Sequence, residues 1–141
     1  MGDACGDRRR LAPPGRDGVS REYSQGWTVD GWVYVSGQVS VDDGGRLLGA
    51  GDVAEQARNV FENITAVLRE AGADWGDVVK LTTFYVVDGS EAEAEEAWSR
   101  ILAVRRDYLP DPPPAATAAR VAGLVVPGAL VEAEVVAYRS P

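Results

Sequence analysis

Trp32-Val33-Tyr34-Val35 puts a large apolar side chain at every position of a short run. Successive side chains of a strand point to opposite faces, so this segment, read as a strand, is apolar on both. A sheet built on it has to be covered twice, and the chain marks only two helices for the task. The first opens at Asp52, a capping residue with Glu55 three positions on as its capping-box partner. Val60, Ile64, Val67, Leu68 and Ala71 then fall on one stripe, and Gly72 supplies the stop. The second repeats the pattern with Ser90 and Glu93, then Ala94, Ala97, Trp98, Ile101, Leu102 and Tyr108 on a helical face. Leu109-Pro110 and prolines 112–114 end it. Two helices cover one face of a sheet. The other face, left in water, would be an unusually large apolar patch. Association of identical chains is the economical cover, since most soluble oligomers are homo-oligomers.

The strands are marked by their turns. Asp30-Gly31 between Thr28-Val29 and Trp32–Ser36 predicts a hairpin, and Asp42-Asp43-Gly44-Gly45 a second turn. Val78–Val87 reads as a strand rich in β-branched residues. Two more follow near Ala115–Val121 and Ala129–Tyr138, joined by a loop holding Pro127-Gly128. The order is strands, helix, strand, helix, two strands. Residues 1–22 are rich in Gly, Arg, Asp and Pro without a period, and read as a mobile or loosely packed leader, with Arg8, Arg9 and Arg10 as a solvated basic tail. The domain is expected over 23–141.

Composition narrows the chemistry by exclusion. None of the 141 residues is histidine, which removes Ser-His-Asp and Cys-His nucleophilic sites and His-ligated zinc. The single cysteine, Cys5, can build neither an internal disulfide nor a thiolate cluster, and a reducing, cytoplasmic setting is expected. A net charge of −8 argues against nucleic acid as a partner. No stretch approaches the roughly 20 apolar residues of a membrane helix, and the leader lacks the apolar region of a signal peptide. A small molecule is the expected substrate, with no metal and no cofactor.

Carboxylates, hydroxyls, tyrosines, arginines and backbone groups remain. Glu132 and Glu134 lie on one face of a strand whose alternate residues, Val131, Ala133 and Val135, are apolar. They either face water and pair with arginines across an interface, or Glu132 lines a cleft as general acid/base for a water. Tyr23 is either a hydrogen-bond donor to a ligand or an interface residue. Ser36 has no histidine to activate it; with Gly37 it offers backbone that a substrate can approach closely. Trp27 and Trp32 are pocket wall or core, and Thr117 bonds a ligand or its own loop. The small run Ala115–Ala119 suggests a cleft floor.

Tyr23-Ser24-Gln25-Gly26, Val35-Ser36-Gly37-Gln38, Gly51-Asp52-Val53 with Glu55-Gln56, Asp77–Phe84 and Gly128–Glu134 together resemble the signature of the Rid (YjgF) family, the enamine/imine deaminases and their relatives. The resemblance runs from about Tyr23 to Tyr138. It implies an α+β, chorismate-mutase-like mixed sheet with two helices on one face, and a homotrimer with clefts between subunits. It also implies a reaction in which water adds to the C=N of a small imine and ammonia leaves. The family's tyrosine falls on Tyr23, its Ser-Gly turn on Ser36 and Gly37, and its last-strand glutamate on Glu132.

One departure stands out. The deaminating members carry a Pro-Ala-Arg-Ser run whose arginine pairs with the substrate carboxylate; here Pro114-Ala115-Ala116-Thr117 puts Ala116 in its place, with Ala118 where Thr or Cys is usual. A bidentate guanidinium–carboxylate contact sets orientation as well as affinity, and hydrogen bonds to charged groups contribute about 1.5–3 kcal/mol each. Arg120 is aimed to the same side of the strand as Ala116 but lies about 13 Å along it, so a solvated or interface role is the first reading for it and replacement of the missing arginine the second. The resemblance therefore implies a hydrolase of an imine or enamine other than the usual small α-imino acids, one uncharged or bulkier. A tautomerase or cyclase on the same cleft and a non-catalytic trimeric ligand-binding or regulatory module are the alternatives.

Overall fold

The computed structural model describes residues 6–16 and 22–140. Six strands form one sheet: β1 Arg8–Leu11, β2 Gly26–Val29, β3 Trp32–Val39, β4 Val78–Tyr85, β5 Ala115–Arg120 and β6 Val131–Tyr138, in the spatial order β1-β2-β3-β6-β4-β5. Only β4 and β5 pair in parallel, across the crossover through the second helix; every other pairing is antiparallel. The helices are α1, Val53–Glu70, and α2, Glu91–Arg105, with a short 3₁₀ turn at Trp75–Asp77. No helix among the described residues is long and apolar enough to cross a membrane. The expected α+β arrangement of a mixed sheet with two helices is the one observed.

Local chemistry explains the elements. Asp30 and Gly31 both take positive φ, 49° and 85°, the conformation a two-residue hairpin needs to match the strand twist. Asp52 caps α1 by accepting from the amides of Ala54 and Glu55, both at 3.1 Å. The Glu55 arm of the expected capping box is not made, because the Asp52 amide already donates to Gly49 O at 3.0 Å. At α2 the Ser90–Glu93 box is complete in both directions. That helix stops at Arg105, short of Tyr108, whose ring instead stacks on Phe61 with centroids 5.3 Å apart.

One face of the sheet is dry. Val33, Val35, Leu81, Val131, Ala133, Val135 and Ala137 pack under Phe61, Ile64, Leu68 and Ile101 of the helices. The opposite face is open and carries exposed Trp32, Tyr34 and Tyr138, with Trp32 and Tyr138 in ring contact at 5.0 Å. The apolar second face read from Trp32–Val35 is therefore real.

The leader is not loose where it is described. Arg8–Leu11 is an edge strand paired antiparallel with β2, and Leu11 is 1% exposed in the core. Its arginines are solvated as expected, all three being exposed, but they are not a free tail: Arg8 lies over the Trp27 ring at 4.2 Å, and Arg9 donates to Glu70 O at 2.9 Å. Cation–π and capping contacts of this kind hold a strand that has no β-branched residue. Arg16 is buried too, at 8% exposure. Cys5 lies outside the described residues.

Candidate functional site

A cleft of about 580 Å³ opens on the uncovered face of the sheet, lined by Glu22, Tyr23, Ser36, Gly37, Val39, Val125, Val126, Glu132 and Glu134. Four of the residues singled out in the sequence, Tyr23, Ser36, Gly37 and Glu132, meet there. β6 presents Glu132 because its even-numbered positions face away from the helices while Val131, Ala133 and Val135 are buried. The entry to β6 is fixed by Gln56 of α1, whose side chain donates to Gly49 O and Gly128 O and accepts from the Leu130 amide at 2.8 Å.

Glu132 lies between Val39 of β3 and Phe84 of β4 in the sheet, and its carboxyl rests against Gly37, where a methyl group would collide with Oε1. It makes no hydrogen bond or ion pair with the described residues. Burial raises its pKa above the ordinary carboxyl value, and the neighbouring Glu134 charge adds to the effect. A half-buried carboxyl with a raised pKa, beside open space and without a partner among the described residues, is equipped to take up and return a proton.

Ser36 is differently occupied. Its hydroxyl donates to Ser24 O at 2.5 Å and its amide to Gln25 O at 2.9 Å, so its proton is committed and only its acceptor lone pairs remain for a ligand. β3 and β6 lose register between Val35 and Gln38, where Ser36 and Gly37 together oppose Glu134. This bulge brings the Gly37 backbone onto the Glu132 carboxyl.

The remaining four expected residues lie elsewhere in the same chain. Ala116, Thr117, Ala118 and Arg120 belong to β5, the edge strand separated from β6 by β4, and none lines the cleft. By register Ala116 and Ala118 share the side of Leu81 and Thr83, the helix side, whereas Thr117 shares that of Thr82. Thr117 accepts from Lys80 Nζ at 2.6 Å. Arg120 is committed as well: it pairs with Glu91 at 3.1 Å and donates to Val87 O and Gly89 O at 2.8 and 2.9 Å. Its guanidinium fastens the turn before α2.

Trp27 and Trp32 do not line the cleft. Its apolar wall is Val39, Val125 and Val126, the last two on the loop before β6; Val125 is 96% exposed. The run Leu124-Val125-Val126 carried that signal, since three apolar residues inside a Gly/Pro-bounded loop are a surface waiting for a neighbour.

The family model described as Endoribonuclease L-PSP matches residues 16–139. A human protein named 2-iminobutanoate/2-iminopropanoate deaminase is 32% identical over 134 residues, 95% of this chain and 92% of the human one. A RutC family protein of Pyrococcus abyssi is 35% identical over 117 residues, covering 83% and 86% of the two chains. A solved structure from the conserved Rid protein family of Yersinia pestis superposes with TM-score 0.80 at 29% identity, over 94% of this chain and 100% of that one. Matched over residues 16–139 and along nearly the whole of a Rid-family fold, the chain belongs to the Rid (YjgF) family, whose model bears the endoribonuclease L-PSP description.

Proposed function

We propose that this protein is a deaminase-type imine or enamine hydrolase, acting as a homotrimer on a small imine that does not present the carboxylate of the usual α-imino acids. The Glu132 carboxyl carries the proposal: half-buried, without a partner among the described residues and raised in pKa, it borders a cleft with Tyr23, Ser36 and Gly37, in a chain similar to a human 2-iminobutanoate/2-iminopropanoate deaminase. As a carboxylate, Glu132 takes a proton from a water as the oxygen adds to the C=N carbon, and passes that proton to the nitrogen, giving a carbinolamine. It then takes the hydroxyl proton and hands it to the amino nitrogen as the oxygen's electrons form the C=O and the C–N bond breaks, so ammonia leaves and a carbonyl product remains. Tyr23 is positioned to hydrogen-bond the ligand, and the Gly37 backbone lets it approach closely.

Two features support the trimer. Trp32, Tyr34 and Tyr138 leave an aromatic face in water, and the cleft on that same face ends in Val125, 96% exposed, so that a second copy laid there would cover both. A phosphodiester substrate fits poorly, because among the described residues three glutamates and no cation line the cleft and the net charge is −8.

Ammonia release from a panel of imines tests the proposal, with neutral imines made in situ by an amine oxidase and α-imino acids by an amino-acid oxidase. Turnover of neutral or bulky imines that disappears in Glu132→Gln supports it. Ala116 favours one other reading, a trimeric ligand-binding module. Binding of imine or carbonyl compounds without turnover in wild type would establish that reading instead.

A further inference from the structure

We infer that Arg16, in the segment before the matched motifs, is a positioning residue for the cleft: through Gln38 it holds the Ser36–Gly37 bulge against the Glu132 carboxyl. The inference rests on the Glu132 cleft being the reacting site. Its starting point is the bulge itself. Alternation from Val35 would turn Gln38 to the open face; the extra residue turns it into the core, where it is 3% exposed. A buried amide has to be bonded at both ends. Gln38 Nε2 donates to Gln25 Oε1 and to Ser36 O, both at 3.1 Å. Its Oε1 accepts from Arg16 Nη1 at 3.3 Å. Arg16 also donates to Val41 O at 3.0 Å, to Asn63 Oδ1 at 2.8 Å and to Asp43 Oδ1 at 3.3 Å, and Asn63 in turn donates to Val39 O and Val41 O.

The guanidinium thus sits behind the end of β3 and fixes it to α1. The β3 side of the cleft hangs from the same amide. Gln38 grips Ser36 O, and Gln25, whose side chain Gln38 also holds, accepts from the Ser36 amide through its own carbonyl. Gln25 ends the segment that carries Tyr23. The Ser36–Gly37 side of the cleft and the segment that carries Tyr23 are therefore referred to one buried cation that does not itself line it. A lysine has three donors on a single nitrogen and cannot span four acceptors as the planar fork does.

The test compares wild type, Arg16→Met and Arg16→Lys by amide hydrogen exchange and by turnover. A positioning role predicts faster exchange at Ser36–Val39 by about ten-fold or more in Arg16→Met, with α1 amides still protected, since local opening need not involve the core. It also predicts a kcat lower by roughly 10- to 100-fold at nearly unchanged KM, with Arg16→Lys between the two. Equal acceleration in α1 and β3 would show a role in stability alone, and no acceleration anywhere would show none; either overturns the inference. If wild type turns over no imine, the proposed function fails while the exchange data still decide the role of Arg16. Should Arg16→Met not fold, Arg16→Lys carries the same comparison.

Discussion

Replacing Gly37 by alanine isolates the geometry of the cleft from its chemistry, because it deletes no functional group. Gly37 does not need the left-handed backbone that some other glycines of the chain use, so alanine is conformationally permitted. Its methyl would stand 3.1 Å from Cδ and 3.3 Å from Cγ of Glu132, with Oε1 nearer still. Ordinary contact requires the carboxyl to retreat by on the order of 1 Å, and a displacement of that size at a reacting group is worth about 10²-fold in rate, or about 2.7 kcal/mol of barrier. The stability change is far smaller. The obstructing atoms end a flexible side chain, and glycine-to-alanine replacement at a compatible site gains about 0.4–1 kcal/mol from the unfolded chain, so the net falls within about 1 kcal/mol. Ammonia release and urea unfolding, run on the same preparation, separate the two effects. The retreating carboxyl also becomes more hydrated, so the acidic limb of the pH–rate profile moves to lower pH in the variant. Wild-type kcat with an unmoved limb in Gly37→Ala would refute the idea that Glu132 acts from where it lies.

Other substitutions probe separate parts of the molecule. Glu132→Gln should lower kcat by roughly 10²–10⁴-fold without loss of stability at neutral pH. Since burial raises the native pKa of Glu132 above its unfolded value of 4.5, its contribution to stability is present below that value and lost as pH rises through the native one. The melting temperature of Glu132→Gln relative to wild type should therefore increase with pH above about 4.5; a constant difference would contradict the assigned burial. Ala116→Arg should lower KM for small α-imino acids by roughly 10- to 150-fold, the equivalent of about 1.5–3 kcal/mol; unchanged kinetics would mean that this position does not meet the ligand. Leu11→Ala should destabilise the fold by about 2–4 kcal/mol in urea titration, and a loss below about 0.5 kcal/mol would restore the view of residues 1–22 as a loose leader.

Much of this architecture is written in local signals. Asp30-Gly31 can do little but turn a hairpin, Ser90 and Glu93 start a helix by themselves, and the alternation in Val131–Val135 puts Glu132 and Glu134 on one side. What escapes the sequence depends on partners far along the chain. β1 is a strand because Trp27 and Glu70 receive its arginines, and nothing in Arg8-Arg9-Arg10 announces that. In the run Ala115–Ala119 alternation relates Ala116 to Arg120, but uniform small side chains give no hint of which face is which. Only pairing with Leu81 and Thr83 decides it. The bulge after Val35 is equally silent, since a strand read by strict alternation sends Gln38 outward.

That bulge has a further consequence for how the protein tolerates change. β3 behaves as two short strands spliced out of phase: before Ser36 its even positions look outward, and after Gly37 its odd ones do. Loss of a single residue at the splice would leave a plain strand in which alternation alone keeps Gln38 inside and Val39 outside, but would remove the bulge that lays the Gly37 backbone against the Glu132 carboxyl, so length here bears on the cleft rather than on the core. Side-chain changes are freer. Val39 can vary in size to reshape the cleft without disturbing Val33 or Val35, which makes it a natural position for drift in ligand preference on an unaltered core.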